Sequence, residues 1–373
     1  MFNKKQIYLD NAASSYPKPL PVYREVFDFM RNNGANPGRS GHKMSFAASL
    51  AVFETREKAA DYFGLSNSGD VIFTKNATEA LNTAIFSVFK NGKKRFLTSV
   101  MDHNSVLRPL TYLKENFGAE VDFFVCDSFL ETVKEKNPEV VVCTAASNVT
   151  GNILPLDQIS DYCFKHEILF IIDASQTAGY PFSYNCDIIC SAGHKGLYGP
   201  QGSGLLIVKT SKGKDALSPV FFGGNGTESL NLSPEIIFPE SFECGTVNTP
   251  AIVGLGAGLD FVRKNEKEIF EKEKFLQKYA FWELVGMKNV TVYSDIDNSV
   301  PIIAFNIDGV SSEEATSILA DNNICVRGGY HCAPLCHELL ETIPGGAIRV
   351  SIGAFNKLSD IKKLIKIVSK IKK

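Results

Sequence analysis

The stretch GHKGLYGPQGSG, residues 193–204, sets one lysine, Lys195, among five glycines, directly behind the apolar run CDIICSA (186–192). Lysine ordinarily keeps its ammonium in water. A glycine-rich loop at a strand end lets backbone approach a ligand closely. A lysine held there reads as a group kept for chemistry, provided the chain brings partners to the same edge.

Working outward, short β-branched runs recur: DVIFT (70–74), KRFLTS (94–99), AEVDFFVC (119–126), EVVVCTA (139–145), ILFIIDA (168–174), DIICSA (187–192) and GLLIVK (204–209). Helical patterns such as ATEALNTAIFSVFK (77–90) and PLDQISDYCFKHE (155–167) fall between several of them. This alternation predicts an α/β fold whose mostly parallel, seven-stranded sheet is buried on both faces. From about residue 250 the character changes. A long charged helix pattern leads into VPIIAFNID (300–308), SSEEATSILADN (311–322), GAIRVSIG (346–353) and a last amphipathic helix, LSDIKKLIKIVSKIKK (358–373). These predict a smaller α+β unit, the final lysines forming the wet face of a docked helix.

The bulk properties narrow the class. The chain has 373 residues, 44% of them hydrophobic, with 39 basic and 41 acidic side chains and a formal charge of −2. That balance gives no electrostatic footprint for nucleic acid. The N-terminus lacks the apolar core of a signal peptide, and no apolar run reaches the roughly 18 to 20 residues of a membrane span. A soluble, cytoplasmic protein is expected. Its nine cysteines are odd in number and lie mostly in strand-like runs, which reads as buried free thiols rather than a disulfide framework.

In open α/β sheets, ligands bind beyond the carboxyl ends of the strands. The polar residues at those ends form a set. Ala77, Thr78 and Glu79 follow the first run and open a helix, a ready phosphate site. His103 follows the second, Asn148 the fourth, Asp173 and Gln176 the fifth, and His194 and Lys195 the sixth. A lysine, an acid, two amides, histidines and an anion site fit pyridoxal 5'-phosphate (PLP). The lysine would form the Schiff base, and the carboxylate would hold the pyridinium proton so that the ring acts as an electron sink.

The ordered motifs YLDNAAS, NPGRSGH, ATEALN, DHNSVLRP, SNVTGNILPL, IIDASQTAG, GHKGLYGPQGSG, FECGTVNTP and VRGGYHCAPL resemble those of a cysteine desulfurase, a branch of the class V aminotransferase group of fold-type I PLP enzymes. The resemblance runs from about residue 7 to 355. It implies a large PLP-binding domain over 15–255 and a small domain of 1–14 with 256–373 that carries a catalytic-cysteine loop. It further implies that Lys195 carries the cofactor and moves the substrate's α-proton, that Asp173 pairs with the ring nitrogen, and that Gln176 and Asn148 bond the ring oxygen. His103 would stack on the ring as an acid/base. Ala77, Thr78 and His194 would hold the phosphate. Thr246 would reach the phosphate of a neighbouring subunit, implying a homodimer. Arg349, with Arg327 and Asn148, would bind the substrate, arginine being suited to bidentate carboxylate recognition.

Two residues depart from that pattern. Ala192 stands where the family usually has a hydroxyl, with Ser191 beside it, and Gly196 is an extra glycine after the lysine. In VRGGYHCAPLCHE (326–338) the resemblance places Cys332 at the persulfide-forming cysteine of the short-loop (group II, Suf-type) desulfurases, although Gly328 and Tyr330 replace a threonine and a histidine common there. Positive charge on neighbouring His331 and Arg327 would favour its thiolate. The array His331, Cys332, Cys336 and His337 offers metal-ligand types, but its spacing matches no common zinc pattern, and no metal is expected.

The implied reaction converts L-cysteine to L-alanine, leaving a Cys332 persulfide for an acceptor protein or thiol. A selenocysteine lyase acting on L-selenocysteine, or a class V aminotransferase or β-lyase acting on another amino acid, are the alternatives.

Overall fold

In the computed structural model, which describes residues 6–38, 41–224 and 230–371, the seven apolar runs become seven strands of one sheet. A two-residue strand, β1 (Ile7–Tyr8), precedes them. The sheet itself comprises β2 (Val71–Thr74), β3 (Arg95–Ser99), β4 (Glu120–Phe124), β5 (Val140–Thr144), β6 (Leu169–Asp173), β7 (Ile188–Ala192) and β8 (Gly204–Val208). Their spatial order is β2-β8-β7-β6-β5-β3-β4. All pairs are parallel except those of β8, which runs antiparallel to both β7 and β2.

Strand alternation divides the core into two layers. Ile189, Ile172 and Val141 pack in one, and Ile188, Ile171 and Val142 in the other, all essentially inaccessible to solvent. Burial of each such aliphatic side chain contributes about 1.5–3 kcal/mol, which is why the central strands β5 and β6 are apolar up to their last residue.

A second sheet follows, built from β9 (Val290–Val292) and β10 (Ile302–Ile307) and, after the short β11 (Ile324–Cys325), from β12 (Arg327–Gly329) and β13 (Ala347–Ser351). Its order is β12-β13-β10-β9 and its pairs are antiparallel. The N-terminus joins this part of the molecule. β1 pairs with β11, and Ile7 and Leu9 share a core with Phe305, Ile348 and Leu364. Residues 1–5 and 372–373 lie outside the described residues.

The helix Thr249–Val285 spans both cores: Ile252, Leu255 and Leu259 enter the first, and Leu276, Ala280 and Leu284 the second. Two helices absent from the sequence reading, Leu20–Asn32 and Lys43–Tyr62, pack near its start. Among the described residues, no helix is long and apolar enough to cross a membrane.

Candidate active site

The parallel strands end on one edge, and there the polar residues meet around a cavity of about 170 Å³. Lys195, Asp173, His103, Asn148, Gln176 and His194 line it. So do Ala77 and Thr78, from the first turn of the helix Ala77–Lys90, where backbone N–H groups lack helical partners. Asn76 caps that helix, its side chain accepting from the Glu79 N–H at 2.9 Å. Ala192 brings no hydrogen-bonding side chain to the wall, and pleat alternation sends Ser191 to the opposite face.

The glycines around Lys195 serve the protein rather than the cavity. A Cβ on Gly196 would sit 2.1 Å from the Ala178 carbonyl oxygen, and one on Gly204 would sit 2.5 Å from the Asn76 carbonyl carbon. Neither glycine lines this cavity. They let the lysine loop press against the segment after Asp173 and against the cap of the helix Ala77–Lys90.

Burial dominates the electrostatics. It pushes the Lys195 amine down to about 8, Asp173 opposing and Arg349 and Arg327 reinforcing the shift. His103 is pushed down to about 4 by burial and then by the Lys195 charge, and His194 to about 4 by burial, Lys195 and Lys18. Both rings are therefore neutral at pH 7. The Ser105 N–H donates to His103 Nδ1 at 3.0 Å, which puts the neutral ring's hydrogen on Nε2. Asp173 is held by the Ser175 N–H at 2.9 Å. Beneath His103, Asp102 accepts from Thr98 Oγ1, Ser99 N and Thr144 N, yet burial still pushes it up to about 7.

The two arginines lie outside the cavity wall, directly opposite each other across β12 and β13. Arg349 is buried. Its Nη1 donates to the Asn148 carbonyl at 2.9 Å and its Nη2 to Asp10 Oδ1 at 2.8 Å, while Nε has no partner among the described residues. Arg327 is exposed.

Cys332 is exposed on the adjoining loop. The loop is tied to the cavity by its backbone: Asn104 N–H donates to the Cys332 carbonyl at 2.7 Å, and Asn148 Nδ2 donates to the His331 carbonyl at 2.7 Å. His331 and Cys332 both adopt positive φ, 50° and 57°. His331 is buried, stacks on His337, and is pushed far down by burial and Arg349. It is neutral, so the expected cationic help from His331 is corrected, and Arg327 remains the positive charge on this loop. Cys336 and His337 are buried beneath, the latter bonded to Thr342 Oγ1 at 2.7 Å. Among the described residues no three metal-ligating side chains converge.

The chain matches the family described as Aminotransferase class-V over residues 7–364. It belongs to the class-V aminotransferases. A protein of Methanothermobacter thermautotrophicus named "Probable cysteine desulfurase" is 29% identical, over 97% of this chain and 93% of that protein. One of the same name from Halalkalibacterium halodurans is 29% identical over 98% and 93%. Among solved structures, the apo cysteine desulfurase from Thermococcus onnurineus NA1 superposes with a TM-score of 0.91 at 27% identity, covering 98% of this chain and 94% of that one. The cysteine desulfurase CsdA of Escherichia coli, at 24% identity, shares the fold with a TM-score of 0.86 over 98% and 94%.

Like other class-V aminotransferases, the chain has the fold-type I architecture of PLP-dependent enzymes. Within it, Ser105, Ser175 and Thr144 also line the cavity, and sequence reasoning missed them. Ser105 follows His103 by two residues in DHNS, a placement that reads first as an ordinary helix start. Thr246 does not line the cavity and is exposed.

Proposed function

We propose that this class-V aminotransferase is a PLP-dependent cysteine desulfurase that takes sulfur from L-cysteine, leaving L-alanine and a persulfide on Cys332. The observation that carries the reading is the exposed Cys332 thiol on a loop bonded, through its own and the preceding carbonyl, to Asn104 and Asn148 at the cavity edge.

The donor set supports PLP. His194 Nδ1 and Ser175 Oγ are buried polar atoms with no partner among the described residues, and both residues line the cavity. Ala77, Thr78 and His194 would hold the phosphate, Asp173 the ring nitrogen, Asn148 and Gln176 the ring oxygen, His103 the ring face and Lys195 the aldehyde carbon. Bound there, PLP supplies an electron sink that acidifies the substrate's α-carbon.

The protein's own groups divide the work. Arg349, with Arg327 opposite, would bind the substrate carboxylate. Lys195, partly neutral at pH 7–8, takes the α-proton at its Nζ. The Cys332 thiolate attacks the substrate sulfur: an S–S bond forms, the Cβ–S bond breaks, and the electron pair stays with carbon. Two protons complete alanine: Lys195 Nζ returns one to Cα, and His103 Nε2 passes the other to Cβ, its ring being reprotonated from solvent. The persulfide sulfur then passes to an acceptor protein or thiol.

We also infer a homodimer. The helices Leu20–Asn32 and Lys43–Tyr62 expose Leu20, Phe27, Met30, Phe46 and Phe53, an apolar surface that a second copy would cover. Arg56 on the second helix pairs with Glu243 at 2.7 Å, joining the segment before Thr246 to that surface. Thr246 would then serve the partner's phosphate. The unpaired cysteines support a reducing compartment, the cytoplasm.

Incubation with L-cysteine tests the reading. Wild type should release alanine and carry one added sulfur on the Cys332 peptide. Cys332→Ala should lose both while keeping the visible band of bound PLP. Undiminished alanine formation in that variant would remove the role given to Cys332, and pyruvate with ammonia and sulfide would assign a β-lyase reaction instead.

A further inference from the structure

Ser105 occupies a position that the reaction above leaves unused. It lines the cavity, and its Oγ lies 2.7 Å from Thr78 Oγ1 and 2.9 Å from His103 Nδ1. The side chain therefore stands between the residue at the anion end and the ring assigned to acid/base work. On the facing wall the lysine strand ends in Ala192, which brings no hydroxyl. His194, whose Nδ1 is buried and unpartnered, lines the same cavity.

Counting hydrogens sharpens the point. Thr78 and Ser105 carry one hydroxyl hydrogen each. Among the described residues these two hydrogens have only each other's oxygens and His103 Nδ1 to serve, and Nδ1 already accepts the Ser105 backbone N–H. His103 thus keeps its tautomer and orientation without the Ser105 hydroxyl. One of these hydrogens bridges the two oxygens at 2.7 Å; with Thr78 as that donor, the Ser105 hydrogen is free to turn to an anion seated at the first turn of Ala77–Lys90, where helix N–H groups already favour negative charge.

We infer that Ser105 is a ligand of the cofactor phosphate, supplying from the His103 helix the hydroxyl that Ala192 does not supply from the lysine strand. The inference rests on the PLP reading above. It assigns the phosphate the Ser105 hydroxyl, backed by Thr78 donating to its oxygen, in addition to His194 and the helix N–H groups.

The test compares PLP with pyridoxal, which lacks the phosphate, on the full chain stripped of cofactor and reloaded. Ser105→Ala should weaken apparent PLP affinity on the order of 10- to 100-fold, the cost of one hydrogen bond to a charged group. Pyridoxal affinity should not change, and the ³¹P resonance of bound PLP should shift between variant and wild type. Ser105→Cys, close in volume but a weak donor, should give the same split and serves if the alanine variant folds poorly. Equal PLP affinity in wild type and variants, or equal losses for PLP and pyridoxal, would overturn the assignment. Failure of the wild-type chain to take up PLP at all would instead overturn the cofactor reading on which it rests.

Discussion

Asp10 and Arg349, 339 residues apart in sequence, are joined at 2.8 Å between Oδ1 and Nη2, and the guanidinium is buried. A buried arginine with one neutralising partner, and an Nε unpartnered among the described residues, suits the carboxylate-binding role proposed for Arg349. Asp10→Asn keeps the shape but removes the charge that orients the guanidinium. It should raise KM for L-cysteine roughly 3- to 30-fold with a smaller change in kcat. Arg349→Lys, which loses the planar fork, should raise KM further. Steady-state alanine formation separates the cases, and a fall in kcat alone for Asp10→Asn would contradict this role.

The Lys195 amine gives a pH signature for cofactor loading. Burial lowers it to about 8 from an ordinary 10.5, so its neutral, nucleophilic form predominates above pH 8. The rate of PLP uptake by stripped protein should rise with pH and level off just above 8. A rate that keeps climbing towards pH 10 would show an amine titrating like a surface lysine.

Much of this site was legible because its chemistry sits where strands end. Lys195, Asp173, His103 and Asn148 each follow an apolar run, and parallel pairing of those runs makes one edge of them. The central strands β5 and β6 read clearly because burial on both faces keeps them apolar up to their last residue. Other features had no such signal. Ser105 and Ser175 are small hydroxyl residues of a kind found at any turn, and only the folded cavity distinguishes them. The Asp10–Arg349 pair spans nearly the whole chain, so no spacing rule reveals it. The helices at 20–32 and 43–62 turn Phe27, Phe46 and other apolar side chains outward, which blurs the one-sided pattern that marks a surface helix. His331 looks like a surface residue in a polar string, yet the loop folds it inward against His337.

Gly196 tests the packing account of the lysine loop. Its hypothetical Cβ meets the Ala178 carbonyl oxygen at 2.1 Å and Gly179 Cα at 3.5 Å, backbone atoms that cannot rotate away. Gly196→Ala should therefore push the loop off the segment 178–179. The expected cost is about 1–3 kcal/mol of stability together with weaker PLP retention, because Lys195 is the preceding residue. Thermal unfolding with and without PLP measures both. An unchanged melting temperature and unchanged PLP affinity would show that the glycine is dispensable.

Glu273 is buried in the helix Thr249–Val285 and accepts from Tyr180 OH at 2.6 Å. Burial pushes its carboxyl up to about 8 from 4.5, with Tyr180, Lys272 and Tyr198 opposing the shift. The folded protein therefore holds a proton here that the unfolded chain releases above pH 4.5. Stability from this group is full below that value and is lost as pH rises towards 8. Glu273→Gln keeps an acceptor for Tyr180 and removes the titration. Between pH 5 and pH 8.5 wild type should lose stability relative to the variant, on the order of a few kcal/mol. Urea unfolding of both proteins at the two pH values isolates the effect, since all other titrating groups are shared. Identical pH slopes would mean that Glu273 is ionised in the native state and that Tyr180 bonds a carboxylate.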